Sequence, residues 1–201
     1  MTNLGTLIGG MGTGTVRERL CESGGMPSVQ TLSEGDRRLV AAWAADCAER
    51  VLPLFEAENS DDDRPRDAIA RARAFSHGDL DAAGEIRRRF VANRAAQEVR
   101  SPAAKAAARA AGQASGVAHM GAHALGAAAY AAKAAALSTP GGGAVETAWQ
   151  IEHMSGPVRE ALRNLPRLGE DRSGPLGPGL LASGELGRNI RALQAALTQH
   201  P

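Results

Sequence analysis

SPAAKAAARAAGQASGVAHMGAHALGAAAYAAKAAAL, residues 101–137, decides the fold. Alanine has the highest helix propensity of all residues, and it dominates this stretch. Ser101-Pro102 opens it with an N-cap residue and a proline at N1, where no N–H is needed. One long alanine-rich helix, Ser101 to about Leu137, is therefore expected, with small sides that let neighbours pack close. Gly112, Gly116, Gly121 and Gly126 interrupt it. Each costs about 1 kcal/mol against alanine inside a helix, which points to close approach or small kinks. At helical steps Gly112, Gly116, His119, His123, Gly126 and Tyr130 share one face. The stretch is not a membrane span, because alanine is barely apolar and Lys105, Arg109, His119, His123 and Lys133 break it.

Upstream, Ser33 is an N-cap with Glu34 and Asp36 in the first turn, and a helix from about Glu34 to Phe55 follows. Its apolar stripe is Leu39, Val40, Trp43, Cys47, Val51 and Leu54, with Asp46 and Arg50 alongside, and Pro53 is expected to kink or end it. Asp62 or Asp63 caps a second helix, Arg64 to Phe75, with Pro65 in its first turn. After His77-Gly78-Asp79 a third helix is expected from about Leu80 to Arg100, burying Leu80, Ile86, Phe90 and Val99. Downstream of the alanine stretch, Val145, Trp149, Ile151, Met154, Val158, Leu162 and Leu165 mark a fifth helix with a bend at Gly156-Pro157. Leu186, Ile190, Leu193 and Leu197 mark a last amphipathic one.

The fold class that emerges is all-α, a compact bundle of five to six helices around the alanine-rich one. Strand formers are sparse and never alternate, and only 3% of the 201 residues are aromatic, so the core must be aliphatic. Residues 1–31 are Gly/Thr-rich and read as a flexible arm, 32–168 as the bundle, and 169–201 as a Pro/Gly-rich linker with a docking helix. The glycines of the arm lack the Gly-Lys-Ser/Thr of a phosphate loop. A formal net charge of +1 gives no electrostatic reason to expect nucleic acid, and Arg87 to Arg89 have no interleaved aromatics for base stacking. Cys21 and Cys47 form no disulfide framework, and no basic n-region or apolar h-region opens the chain, so a cytoplasmic location is expected.

Three stretches together resemble a known family: LSEGDRRLVAAWAADCAERVLPLFE (32–56), DDDRPRDAIARARAF (61–75) and AARAAGQASGVAHMGAHALGAAAYAAKAA (107–135). They look like the Imm-5-like immunity proteins, a bacterial family of actinobacterial type. AADCAERVL, DxRPR and AHxxxHALGAA are the specific elements, because alanine helices do not carry these polar residues at such spacing by chance. The likeness extends through AWQIEHMSGPVREALRNLP, and the GPLGPGLL tail fits a longer subgroup. Membership implies a helical bundle that binds a protein toxin and needs no catalytic residue. In many relatives a histidine stands where this chain has Gln113, so a three-histidine site, if the family has one, would be incomplete here.

The residues leave three accounts of His119 and His123. At i and i+4 they have the spacing of two ligands to one metal ion, but no His-Glu-x-x-His pattern is present, and Asp46, Cys47, Glu56, Asp62 or Asp63 would have to complete the set. They also suit a polar pocket between the first, second and fourth helices, and most of all buried structural imidazoles bonded to carboxylates on neighbouring helices. The candidate ligand-binding residues are Asp46, Arg50, Asp62, Asp63, Arg64, Arg66, His119, His123 and Tyr130. An enzyme would use His119, His123 and Asp46 for acid–base chemistry; no catalytic residue is otherwise assigned, and no cofactor is expected. For the aspartates and arginines the alternative is an internal network of ion pairs and caps.

Two functions follow, an immunity-type protein whose contact surface is a patch such as Glu56 to Asp63, or a small-molecule binder or small enzyme of a biosynthetic or self-resistance pathway. The partner is a protein toxin or a small ligand, with neither nucleic acid nor membrane. The helices Val145–Leu165 and Glu185–Leu197 would also suit a homodimer.

Overall fold

The computed structural model describes residues 28–88 and 91–198, and all regular structure in them is helical. Cys21 and the rest of the expected arm up to Pro27 lie outside the described residues, as do Arg89 and Phe90.

Helix α1, Glu34–Glu56, starts where expected: Ser33 Oγ accepts from the Asp36 N–H at 3.0 Å. Pro53 neither ends nor replaces its last turn. Trp43 and Cys47 are buried, but Leu39 is 42% exposed and leaves the stripe assigned to it. Helix α2, Arg64–His77, stops at Gly78, whose φ of 92° is the left-handed C-cap geometry that glycine adopts without strain. The expected third helix is two short ones, α3 (Ala82–Arg88) and α4 (Val91–Ala95). Val99 is buried beyond them and Leu80 half-buried.

The single alanine-rich helix is corrected by the structure. It is a hairpin of two helices, α5 (Pro102–Gly116) and α6 (His123–Ser138), packed along their lengths. Arg109 lies over the Tyr130 ring at 5.9 Å, Gln113 bonds His123, and a Cβ on Gly116 would press the His123 ring at 3.1 Å. Residues approach in pairs that close on one centre, which is the register of antiparallel helices. The residues expected on one face of one helix therefore meet across the hairpin. A Cβ at Gly126 would lie 2.2 Å from Gln113 Oε1, so glycine leaves the room that this amide occupies when it bonds His123.

The break comes from residues far away in sequence. The N–H groups of Gly121 and Ala122 donate to Thr31 and Gln30 carbonyls, both at 3.0 Å, instead of to carbonyls four residues back. Leu32 follows with φ 62°, a strained value for a non-glycine residue, and its side chain covers Gly121. Gln30, buried itself, donates through Nε2 to Asp171 Oδ2 (2.8 Å) and the Ser173 carbonyl (2.6 Å), and its Oε1 accepts from the Leu176 N–H. One residue thus ties the corner to the turn-rich segment that precedes α9.

Helices α7 (Gly142–Glu152) and α8 (Gly156–Arg163) replace the expected fifth helix; Ser155 caps the second, its Oγ accepting from Val158 N–H. A 3-10 turn, Leu180–Ala182, leads into α9 (Gly184–Thr198), which packs on α6, α7 and α8. The hairpin is the centre of the molecule: α5 meets α1, α2 and α4, and α6 meets α1, α7 and α9. No helix among the described residues is long and apolar enough to cross a membrane.

Candidate functional site

Helix α7 turns its polar side inward. Val145 and Trp149 marked a helix here in the sequence, but Val145 is 68% exposed and Trp149 half-buried, while Gly143, Glu146 and Gln150 are buried. The reason is a polar cluster on α1 and α6. Arg50 Nε donates to Glu146 Oε2 at 2.8 Å, and Gln150 Nε2 donates to Glu146 Oε1 at 3.2 Å and to the Ala128 carbonyl at 3.0 Å. The Trp43 indole N–H donates to the Gln150 carbonyl at 3.1 Å. Arg50 also stacks on the Trp149 ring, 4.0 Å from its centroid, and Trp149 stacks in turn on His153 at 4.1 Å. Cys47 lies beneath. Burial, and then the Glu146 and Asp46 charges, push its thiol well above the usual range, so it is an inert part of the core.

The other expected site residues are distributed around the molecule. Asp46 pairs with Arg73 at 2.7 Å and borders a groove of about 370 Å³ with Trp43, His77 and His153. Arg50 and Glu146 border a second cleft, of about 390 Å³, where the end of α1 meets the α6–α7 turn. Arg64 faces a third, small space beside Arg71 and Glu85. Its Nε and Nη2 grip Asp62 at 2.7 and 2.6 Å, and Nη2 also reaches Glu98 at 2.8 Å. Arg66 pairs with Glu56, and Asp63 is exposed at the α2 N-cap position without a capping bond. Asp46, Arg50 and Arg64 thus open on three different spaces, rather than on one pocket between the first, second and fourth helices.

His119 sits in the hairpin corner and His123 is the first residue of α6, so they are not neighbours on a continuous helix. Their ring centroids are still 6.5 Å apart. His123 Nδ1 lies 2.9 Å from Gln113 Oε1, within hydrogen-bonding distance. Tyr130 is buried under Arg109, and burial raises its pKa. Among the described residues no three His, Cys, Asp or Glu side chains gather as a metal site would require.

The acidic turn after α1 is engaged in structure. Glu58 accepts from the Arg100 and Ser101 N–H groups at the start of α5, and these bonds hold its carboxyl below the usual carboxylate range. The Arg64 bond does the same for Asp62. Both groups have folded-state pKa values below their unfolded ones, so their contribution is complete above about pH 4–5 and is lost as pH falls through the lowered values. The melting temperature should therefore be level from pH 7 to 5 and decline below it. D62N, followed by circular dichroism, should make that decline shallower; an unchanged acid slope would show that the Asp62 pair carries none of it.

A family model, Imm-5 like putative immunity protein, matches residues 30–157, more than half of the chain. The chain belongs to this family. The Imm-5 like segment begins at Gln30, the residue that locks the hairpin corner, and ends in the first turn of α8. It contains both arms of the hairpin and the Arg50–Glu146–Trp149 cluster, and it leaves α9 outside. Neither the curated proteins nor the solved structures give a match.

Arg50 was visible in the sequence as a charged neighbour of the α1 stripe; its partners Glu146 and Trp149, and Gln150 behind Glu146, were not. The signal was a carboxylate and an amide at i and i+4, on the face that buried Gly143 also occupies. The apolar residues of α7 alone do not give the phase of its buried side.

Proposed function

We propose that this Imm-5 like protein acts as an immunity protein that neutralises a partner toxin by binding it. Membership of the family over residues 30–157 carries this reading. The arrangement is consistent with it: the candidate acids and bases are divided among ion pairs and separate clefts, and a binder needs no assembled catalytic group. Of the acidic patch expected as contact surface, Glu56, Glu58 and Asp62 are held by Arg66, backbone amides and Arg64, which leaves Asp61 and Asp63 as exposed carboxylates that no cation or backbone amide holds among the described residues.

The test is co-expression with each secreted polypeptide encoded beside the gene. Growth rescue together with a stable co-purifying complex is the expected result. If the toxic neighbours still kill and none co-elutes with the chain, the neutralising role is wrong.

A further inference from the structure

The cleft between α1 and the α6–α7 turn holds a guanidinium that is positioned but only partly used. Arg50 is fixed on two sides, by the Glu146 carboxylate at Nε and by the Trp149 ring stacked on its plane. Its Nη1 and Nη2 meet no acceptor among the described residues, and the side chain, 37% exposed, lines the cleft. Glu146 is the reverse case. Its side chain is 5% exposed and both oxygens are already bonded, so the charge that a visitor meets is positive.

The walls are mostly apolar: Val51, Pro53, Leu54, Pro140 and Val145 surround that charge, with Ser138 and Thr139 on the α6–α7 turn as the polar exceptions. A volume of about 390 Å³ is in the range of small-ligand sites. The amino end of α7, which has no side-chain cap, borders the same space at Gly142 and adds partial positive charge.

We propose that this cleft binds a small organic carboxylate with an apolar body, the carboxylate on the Nη1/Nη2 edge of Arg50 and the body against the apolar walls. A monoanion is selected because one guanidinium backed by Glu146 cannot balance a dianionic phosphate. A cation finds no accessible carboxylate. The proposal goes beyond toxin neutralisation and stands or falls without it.

Hexanoate is the probe, titrated into the full-length protein and followed by amide NMR. Saturable shifts in residues 50–54 and 139–146 are expected, with a Kd on the order of millimolar for so small a ligand. Hexanamide, the neutral counterpart, should bind about tenfold more weakly, which is the loss of one charge-assisted hydrogen-bond pair. R50K keeps the charge and the Glu146 pair but loses the fork, and should weaken hexanoate by a similar factor. V145D alters only an exposed rim position and should weaken it several-fold through like-charge repulsion. Equal binding of hexanoate and hexanamide, shifts elsewhere, or an unchanged Kd in both variants overturns the proposal. A capped Leu-Glu-Leu peptide that binds more tightly than hexanoate also overturns it, in favour of an acidic side chain of a protein partner.

Discussion

Replacing Arg50 with glutamine should lower unfolding free energy by about 3 kcal/mol, whereas replacing Glu146 with glutamine should cost only about 1 kcal/mol. The two residues form one ion pair, but they are not equally buried. Removal of Arg50 leaves a carboxylate with 5% exposure and one remaining donor, the Gln150 amide at 3.2 Å. That is a stranded buried charge, for which losses of about 3–5 kcal/mol are usual. The lower end applies because water reaches Arg50. Removal of the Glu146 charge leaves a guanidinium that is 37% exposed, still stacked on Trp149, and able to complete its hydration. R50Q should also disturb Gln150 and, through it, the Trp43 bond, so tryptophan fluorescence should shift with stability. The double variant should recover most of the R50Q loss. Urea denaturation at pH 7 measures all three, and a costlier E146Q than R50Q would show that the pair is not held as described.

That pair also marks the boundary of what the sequence could show. The caps Ser33 and Ser101, helices α1, α2 and α9, and the all-helical class were legible because their signals are local: a hydroxyl three residues before a free N–H, or leucines at helical steps. The hairpin was not. Residues 101–137 are uniformly helical in propensity, and the turn is imposed by two carbonyls at Gln30 and Thr31, some ninety positions earlier. Gly121 was visible, but not Leu32 folded over it. The family match over residues 30–157 agrees with the motifs at 32–56, 61–75 and 107–135, since these are the segments that build α1, α2 and the hairpin. His119 and His123 stood out in the sequence as polar residues in an apolar stretch. Their meaning changed, because His119 belongs to a corner and His123 closes the hairpin through Gln113. Arg50 was visible as a residue, but its partners lie on a helix whose buried side is polar, the case in which apolar patterning fails.

Truncation after Leu168 should abolish the native fold, although the family model already ends at residue 157. The removed segment contributes Leu176, Leu181, Leu186, Ile190, Leu193 and Leu197, all at most 7% exposed. Each such side chain is worth about 1.5–3 kcal/mol on burial, so the segment supplies on the order of 10 kcal/mol before its own ordering cost is deducted. A whole domain retains only about 5–15 kcal/mol. Truncation also strips Gln30 of Asp171, the Ser173 carbonyl and the Leu176 N–H, so a buried amide that fixes the hairpin corner loses its partners at the same time. The expected product is aggregated, or expanded with helical far-UV signal and dye-accessible apolar surface. Sedimentation and near-UV circular dichroism distinguish the alternatives. A folded monomer with unchanged melting would mean that residues 30–168 enclose their own core and that α9 is an accessory. A folded dimer would mean that a second copy can cover the α6 face which α9 covers in the intact chain, so that the tail keeps self-association in check rather than building it.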